Sequence, residues 1–169
     1  MPHLKLWFYD PTGDRDGYLN HFVARLDGPY CHCELQFPDN NACTIYMGTN
    51  VVLKKRSFSP EAYTCVNVSC TPQQLAKARR FAEREFQSGT SFSTMAMSMA
   101  LIPLLSVSGN GTFCSKLCAD ILVAGEILEG GISTHKMSPS ALFRITSQTM
   151  PGRMNVGRST ATVTPIGFK

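Results

Sequence analysis

YCHCELQFPDNNACTIYMG, residues 30–48, reads as two strands joined by a tight turn. Side chains alternate across a strand. Cys31, Cys33, Leu35 and Phe37 therefore share one face, and Tyr30, His32, Glu34 and Gln36 share the other. Pro38-Asp39-Asn40-Asn41 supplies the turn, because each of these residue types favours turn backbone over a ladder. On the returning strand, 42–48, Cys43, Ile45 and Met47 form the apolar face, and Thr44 and Tyr46 the polar one. Matching the apolar faces across the hairpin sets Thr44 and Tyr46 beside His32 and Glu34.

Outward from this hairpin, more strands precede and follow. LKLWFYD at 4–10 has strand composition and stops at Asp10-Pro11. VVLKKRSF at 51–58 continues as a third strand after the hairpin begins, and YTCVNVSC at 63–70 as a fourth. Between 17 and 26, Leu19, Phe22, Val23 and Leu26 fall on one stripe and predict a short helix, ended by Asp27-Gly28-Pro29.

The second half is helical. Thr71 before Pro72 is a good start signal, with Thr as N-cap and Pro at the first helical position. The helix runs to about Gln87, with Leu75, Ala78, Phe81, Ala82 and Phe86 inward. The apolar segment 92–107, interrupted by serines, Thr94 and Pro103, reads as a core helix followed by a loop. It is too short and too polar for a spanning helix, and its methionines also suit an adaptable wall beside a site. Gly109-Asn110-Gly111 makes a turn. A helix follows from Cys114 to about Leu128, its inner stripe being Leu117, Cys118, Ile121, Leu122 and Gly125. MSPSALFRIT at 137–146 reads as a turn and a last short strand. The class is α+β, with strands grouped first and helices packed on the sheet. Residues 1–147 make one domain, and 148–169, basic and without periodicity, a tail that is flexible or docked on a partner.

Composition excludes several functions. The chain has 169 residues, 43% hydrophobic and 17% charged, with a formal charge of +4. No basic stripe is interleaved with aromatics, so no specific nucleic-acid binding is expected, and Lys54-Lys55-Arg56 reads as a solvated face. No apolar stretch follows a charged start, which predicts no signal peptide. The sequons at Asn67 and Asn110 are then silent, and the seven cysteines stay reduced in a cytoplasmic compartment. No C-x-x-C pair occurs, and Cys31-His32-Cys33 would split across two faces, so neither a metal nor another cofactor is expected.

Chemistry concentrates in two places. Cys114 stands at a helix start, where unpaired N–H groups and the helix dipole lower a thiol pKa. The glycines before it allow a close approach, and the backbone N–H groups of Phe113 and Ser115, with Thr112 nearby, are placed to hold an oxyanion. A thiol nucleophile needs a base. Of His3, His21, His32 and His135, only His32 stands mid-strand with polar companions, and the Cys114 helix is available to cover its face. Glu34, Thr44 or Tyr46 would orient the imidazole. His135 falls in an exposed loop, and Cys118 packs inward. A lone cysteine at a helix start is in most proteins a packing residue, so spacing alone leaves both readings open.

The order of three motifs adds to this. His32-Cys33-Glu34-Leu35, then Phe113-Cys114-Ser115, then Pro139-Ser140-Ala141-Leu142-Phe143 resemble, across roughly residues 4–145, the circularly permuted papain-like families. These are relatives of the NlpC-type cysteine peptidases and of the lecithin–retinol acyltransferase group, with members encoded by viruses. The resemblance implies an α+β papain-like fold with His before Cys, His32 as base and Cys114 as nucleophile. In the acyltransferase-like branch the orienting residue lies on the next strand, at the position of Thr44; Glu34 is the alternative. That branch favours Asn where Phe113 stands.

The first expectation is a thiol hydrolase, a cysteine peptidase or amidase, acting on a peptide or acyl substrate through an acyl-enzyme. A second is acyl transfer or phospholipid ester cleavage, with the basic tail on an anionic surface. A third is a non-catalytic binding or structural protein on the same scaffold, within an assembly such as a virion.

Overall fold

The computed structural model describes residues 1–13, 21, 24–25, 28–101 and 111–149. The helix expected over 17–26 lies largely outside them, as do residues 102–110 and the tail from 150 onward.

Five strands, β1 (His3–Tyr9), β2 (His32–Gln36), β3 (Asn41–Thr44), β4 (Val52–Lys55) and β5 (Tyr63–Ser69), form one antiparallel sheet in the order β4-β3-β2-β1-β5. Among the described residues four helices follow: α1 (Pro72–Gln87), α2 (Thr94–Leu101), α3 (Cys114–Ala124) and α4 (Pro139–Thr149). The α+β class and the grouping of strands before helices are as the sequence predicts. Leu4, Leu6, Phe8, Cys33, Leu35, Cys43, Val66 and Val68 point to one face of the sheet. There they form a continuous core with Ala78 and Ala82 of α1, Leu117, Cys118, Ile121 and Leu122 of α3, and Leu142 of α4. Burying each large side chain of this set contributes about 1.5–3 kcal/mol.

Register fixes what lies on the other face. Lys5 pairs with Gln36, Trp7 with Glu34 and Tyr9 with His32. Leu35 pairs with Cys43, so Thr44 falls beside Glu34 on the outer face. Among the described residues the helices pack on the opposite face; here Trp7 stacks on Phe58 of the 56–62 loop at 4.6 Å, 11° from parallel. Gln36 ties that loop down by accepting the Trp7 indole N–H at 2.9 Å and donating to the Arg56 carbonyl at 2.8 Å.

Helix α1 starts as its sequence dictates. Thr71 Oγ1 accepts the Gln74 N–H at 3.2 Å, and Gln74 Oε1 accepts the Thr71 N–H at 2.9 Å, a complete capping box.

Several expectations are corrected. Residues 137–146 hold no strand: Ser138 caps a helix, its Oγ accepting the Ala141 N–H at 3.0 Å, and Pro139 is the first helical residue. Leu142 and Thr146, one turn apart, are fully buried on its inner stripe. Met47 leaves the core face, at 51% exposure, because a turn over Tyr46–Thr49 ends β3 at Thr44. Phe86 is 47% exposed, so inward packing of α1 ends at Ala82. Met95 is exposed, so α2 is not a core helix throughout. Helix α3 stops at Ala124, with Gly125 as its C-cap.

Candidate active site

His32 is the first residue of β2 and Cys114 the first of α3. Helix α3 packs on the Cys33/Leu35 face, not on the face that carries His32 and Glu34, contrary to the expectation from sequence. The two side chains meet because each opens its element at the same end of the sheet. Both line a pocket of about 390 Å³, whose remaining walls include Ile45, Tyr46, Met47, Phe92 and Met97. The described lining carries no lysine, arginine or carboxylate.

The thiol and the imidazole are each other's charge partner. A hydrogen bond from the Cys33 thiol, acting against burial, holds the Cys114 thiol well below its ordinary value; the His32 charge and the Cys33 backbone N–H add to it. Burial works against the His32 imidazolium, but the Cys114 charge and hydrogen bonding to Cys114 and Glu34 raise it to about 10. The neighbouring Cys33 thiol is pushed far up by burial and by the sulfurs around it, so it stays a donor.

Second contacts orient the ring. His32 Nε2 lies 3.2 Å from Thr44 Oγ1 and 3.6 Å from Glu34 Oε1. Tyr46 stacks on the imidazole at 5.0 Å, 22° from parallel. The Tyr46 hydroxyl donates to Glu34 Oε1 at 3.1 Å and in turn accepts from Arg56 Nη1. Arg56 Nη2 also pairs with Glu34 Oε1 at 3.1 Å and donates to the Tyr63 hydroxyl at 3.3 Å. Glu34 is fully buried, and its Oε2 has no hydrogen-bond partner among the described residues. A buried carboxylate needs a countercharge; here Arg56 supplies it from one side and protonated His32 from the other.

The start of α3 is left open. Phe113 occupies the N-cap with extended backbone and offers no side-chain hydrogen bond. The first intrahelical bond runs from the Leu117 N–H to the Phe113 carbonyl at 2.9 Å. The N–H groups from Phe113 to Lys116 therefore have no partner within the helix, which includes both expected oxyanion donors. Gly111 makes the approach possible: its φ is +132°, and a Cβ there would sit 2.3 Å from Ser93 Cβ. That contact lets Thr112 pair with Phe92, and the Ser93 N–H reach the Thr112 carbonyl at 2.8 Å. The pocket wall and the cysteine thus share one anchor.

The structure brings all four expected side chains, Cys114, His32, Glu34 and Thr44, to one site. His135 is exposed and Cys118 fully buried, as expected. Sequence reasoning missed Cys33, counted only as core, and Arg56, read as part of a solvated basic run. Lys54 and Lys55 are exposed, but Arg56 turns under the 56–62 loop. No family model, curated protein or solved structure matches the chain. Among the described residues no cluster of His, Cys, Asp or Glu is arranged to hold a metal ion, and no helix is long and apolar enough to cross a membrane.

Proposed function

We propose that the chain is a cysteine hydrolase of peptidase or amidase type, built as a permuted papain-like domain of the NlpC kind. The observation that carries this reading is the pairing of Cys114 with His32 in an apolar pocket, with the imidazole fixed from behind by Thr44 and Glu34. The Cys114 thiolate adds to an amide or ester carbonyl, and the oxyanion that forms is held by N–H groups at the start of α3. His32, as imidazolium, gives its proton to the leaving nitrogen or oxygen as the tetrahedral adduct collapses to a thioester. Neutral His32 then takes a proton from water, whose oxygen attacks the thioester and releases the acid and the thiolate. Glu34 and Thr44 are positioning residues. The work suits a reducing compartment, since none of the seven cysteines is in a disulfide.

A second reading is favoured by the wall of Ile45, Met47, Phe92 and Met97, which suits a lipid acyl chain. In that case the same thioester is resolved by an alcohol or amine, giving transfer in place of hydrolysis.

The test is the rate of iodoacetamide alkylation of Cys114 against pH, in the wild type and in His32→Ala, with the site read by peptide mapping. Wild-type Cys114 should react with an apparent pKa well below ~8.5, the ordinary thiol value, and removal of His32 should raise it. A wild-type value near ~8.5 that ignores His32 would refute the dyad and leave a non-catalytic scaffold.

A further inference from the structure

A second cavity, of about 490 Å³, opens on the outer face of the sheet. Its floor is Trp7 and Gln36, and its rim is Lys5, Asn40 and the chain from Lys55 to Phe58. The floor's polar groups are spent on the protein itself: the indole N–H and both ends of the Gln36 amide are bonded within the fold. The rim is different. Lys5 and Lys55 bring two cations to the cleft beside Arg56, whose guanidinium is paired with Glu34; among the described residues no carboxylate lines it and neither lysine is in a salt bridge. Ser57 and Asn40 add neutral donors. Two unopposed cations at one rim call for more than one negative charge, as a phosphate monoester carries and a single carboxylate does not. The volume exceeds that of a bare phosphate and falls in the range of small-molecule sites. The Trp7–Phe58 stack is the apolar wall against which the remainder would lie, and it suits a flat ring.

We propose that this cleft binds a small phosphate monoester carrying a planar ring, a ligand of mononucleotide size, with the phosphate between Lys5 and Lys55 and the ring against Trp7 and Phe58. The site is separate from the Cys114 pocket, and the two have no lining residue in common. Arg56 nevertheless joins them, since its guanidinium also holds Glu34, which backs His32.

The protein carries its own reporter, because Trp7 is the only tryptophan in the chain. Its emission is followed while the full-length chain is titrated with adenosine 5′-monophosphate, with adenosine and inorganic phosphate as separate arms. The monophosphate should change Trp7 emission saturably, and each half alone should bind at least roughly tenfold more weakly. Lys5→Glu combined with Lys55→Glu should abolish the response. Both lysines are exposed, so the unliganded emission spectrum of the double variant should match that of the wild type and report an intact fold. A flat titration, equal binding of adenosine, equal binding of inorganic phosphate, or an undiminished response in the double variant would each overturn the proposal. None of these readouts uses Cys114, so a failure here and a failure of the hydrolase reading are seen separately.

Discussion

Replacing Glu34 by Gln keeps the shape of the side chain and removes its charge. Glu34 Oε1 receives the Tyr46 hydroxyl and Arg56 Nη2, each at 3.1 Å, and faces His32 Nε2 at 3.6 Å. A hydrogen bond to a charged group contributes about 1.5–3 kcal/mol, and the variant weakens two or three of them. Opposing this, the Arg56 side chain is 28% exposed and keeps the Tyr63 hydroxyl, so it regains some hydration when its partner turns neutral. The expected loss is about 2–4 kcal/mol, from a domain stability on the order of 5–15 kcal/mol. Arg56→Met should cost more, about 3–5 kcal/mol, because it removes the nearer of two countercharges from a fully buried carboxylate. The double variant should cost less than the sum, since each change removes what the other leaves unpaired. Urea unfolding under reducing conditions gives all three values. Exposed pairs such as Lys77–Glu126 provide the contrast, at about 0–1 kcal/mol. If Glu34→Gln costs no more than such a surface pair, or if Arg56→Met is the milder change, the buried-carboxylate argument fails.

Other outcomes follow from the same geometry. Hydrolysis by the dyad needs the Cys114 thiolate, present above its lowered pKa, and the His32 imidazolium, present below about 10. Its pH profile should be a bell whose alkaline limb falls as pH rises through about 10, while alkylation, which needs the thiolate alone, stays high there; coincident alkaline limbs would contradict the assignment. Gly111→Ala combines a φ of +132° with a 2.3 Å approach to Ser93 Cβ and should cost about 2–5 kcal/mol in urea unfolding. Gly48→Ala, at φ +77° with open space around it, should cost only about 1–2 kcal/mol, and equal losses would disprove the role of the Ser93 contact. Thr44→Val removes the hydroxyl from His32 Nε2 with little change in shape, and should slow Cys114 alkylation at neutral pH while leaving the alkylation of Cys31 unchanged.

The hairpin of 30–48 was legible because alternation is a local property. Faces assigned residue by residue set Thr44 and Tyr46 beside His32 and Glu34, and the register does the same. Helix α1 was legible for the same reason, its capping box lying within four consecutive residues. What escaped depends on contacts far apart in the chain. Arg56 looks like its neighbours Lys54 and Lys55 until the loop after it sets Phe58 against both Trp7 and the Arg56 guanidinium. Cys33 looks like any core thiol until α3 lays Cys114 and Cys118 against it. The Ser138-Pro139 start repeats the Thr71-Pro72 signal and was legible in principle, though 137–146 reads as a turn and a strand when taken alone. In the fold the helical stripe of Leu142 and Thr146 decides, because both bury completely.

The seven thiols of this chain are chemically unequal, and the inequality gives the molecule a built-in covalent address. Burial pushes Cys33, Cys43, Cys65 and Cys70 toward the inert thiol form, and Cys118 has no exposed surface. Cys114 is drawn the other way, beside an apolar chamber large enough for a fragment. Cys31, half-buried on the wall of the same chamber, is the sole competitor within reach of such a molecule. A library of weak chloroacetamides would therefore sort itself on this protein without any cysteine being engineered away. Whatever the chamber prefers to hold would be reported as adduct mass on one sulfur.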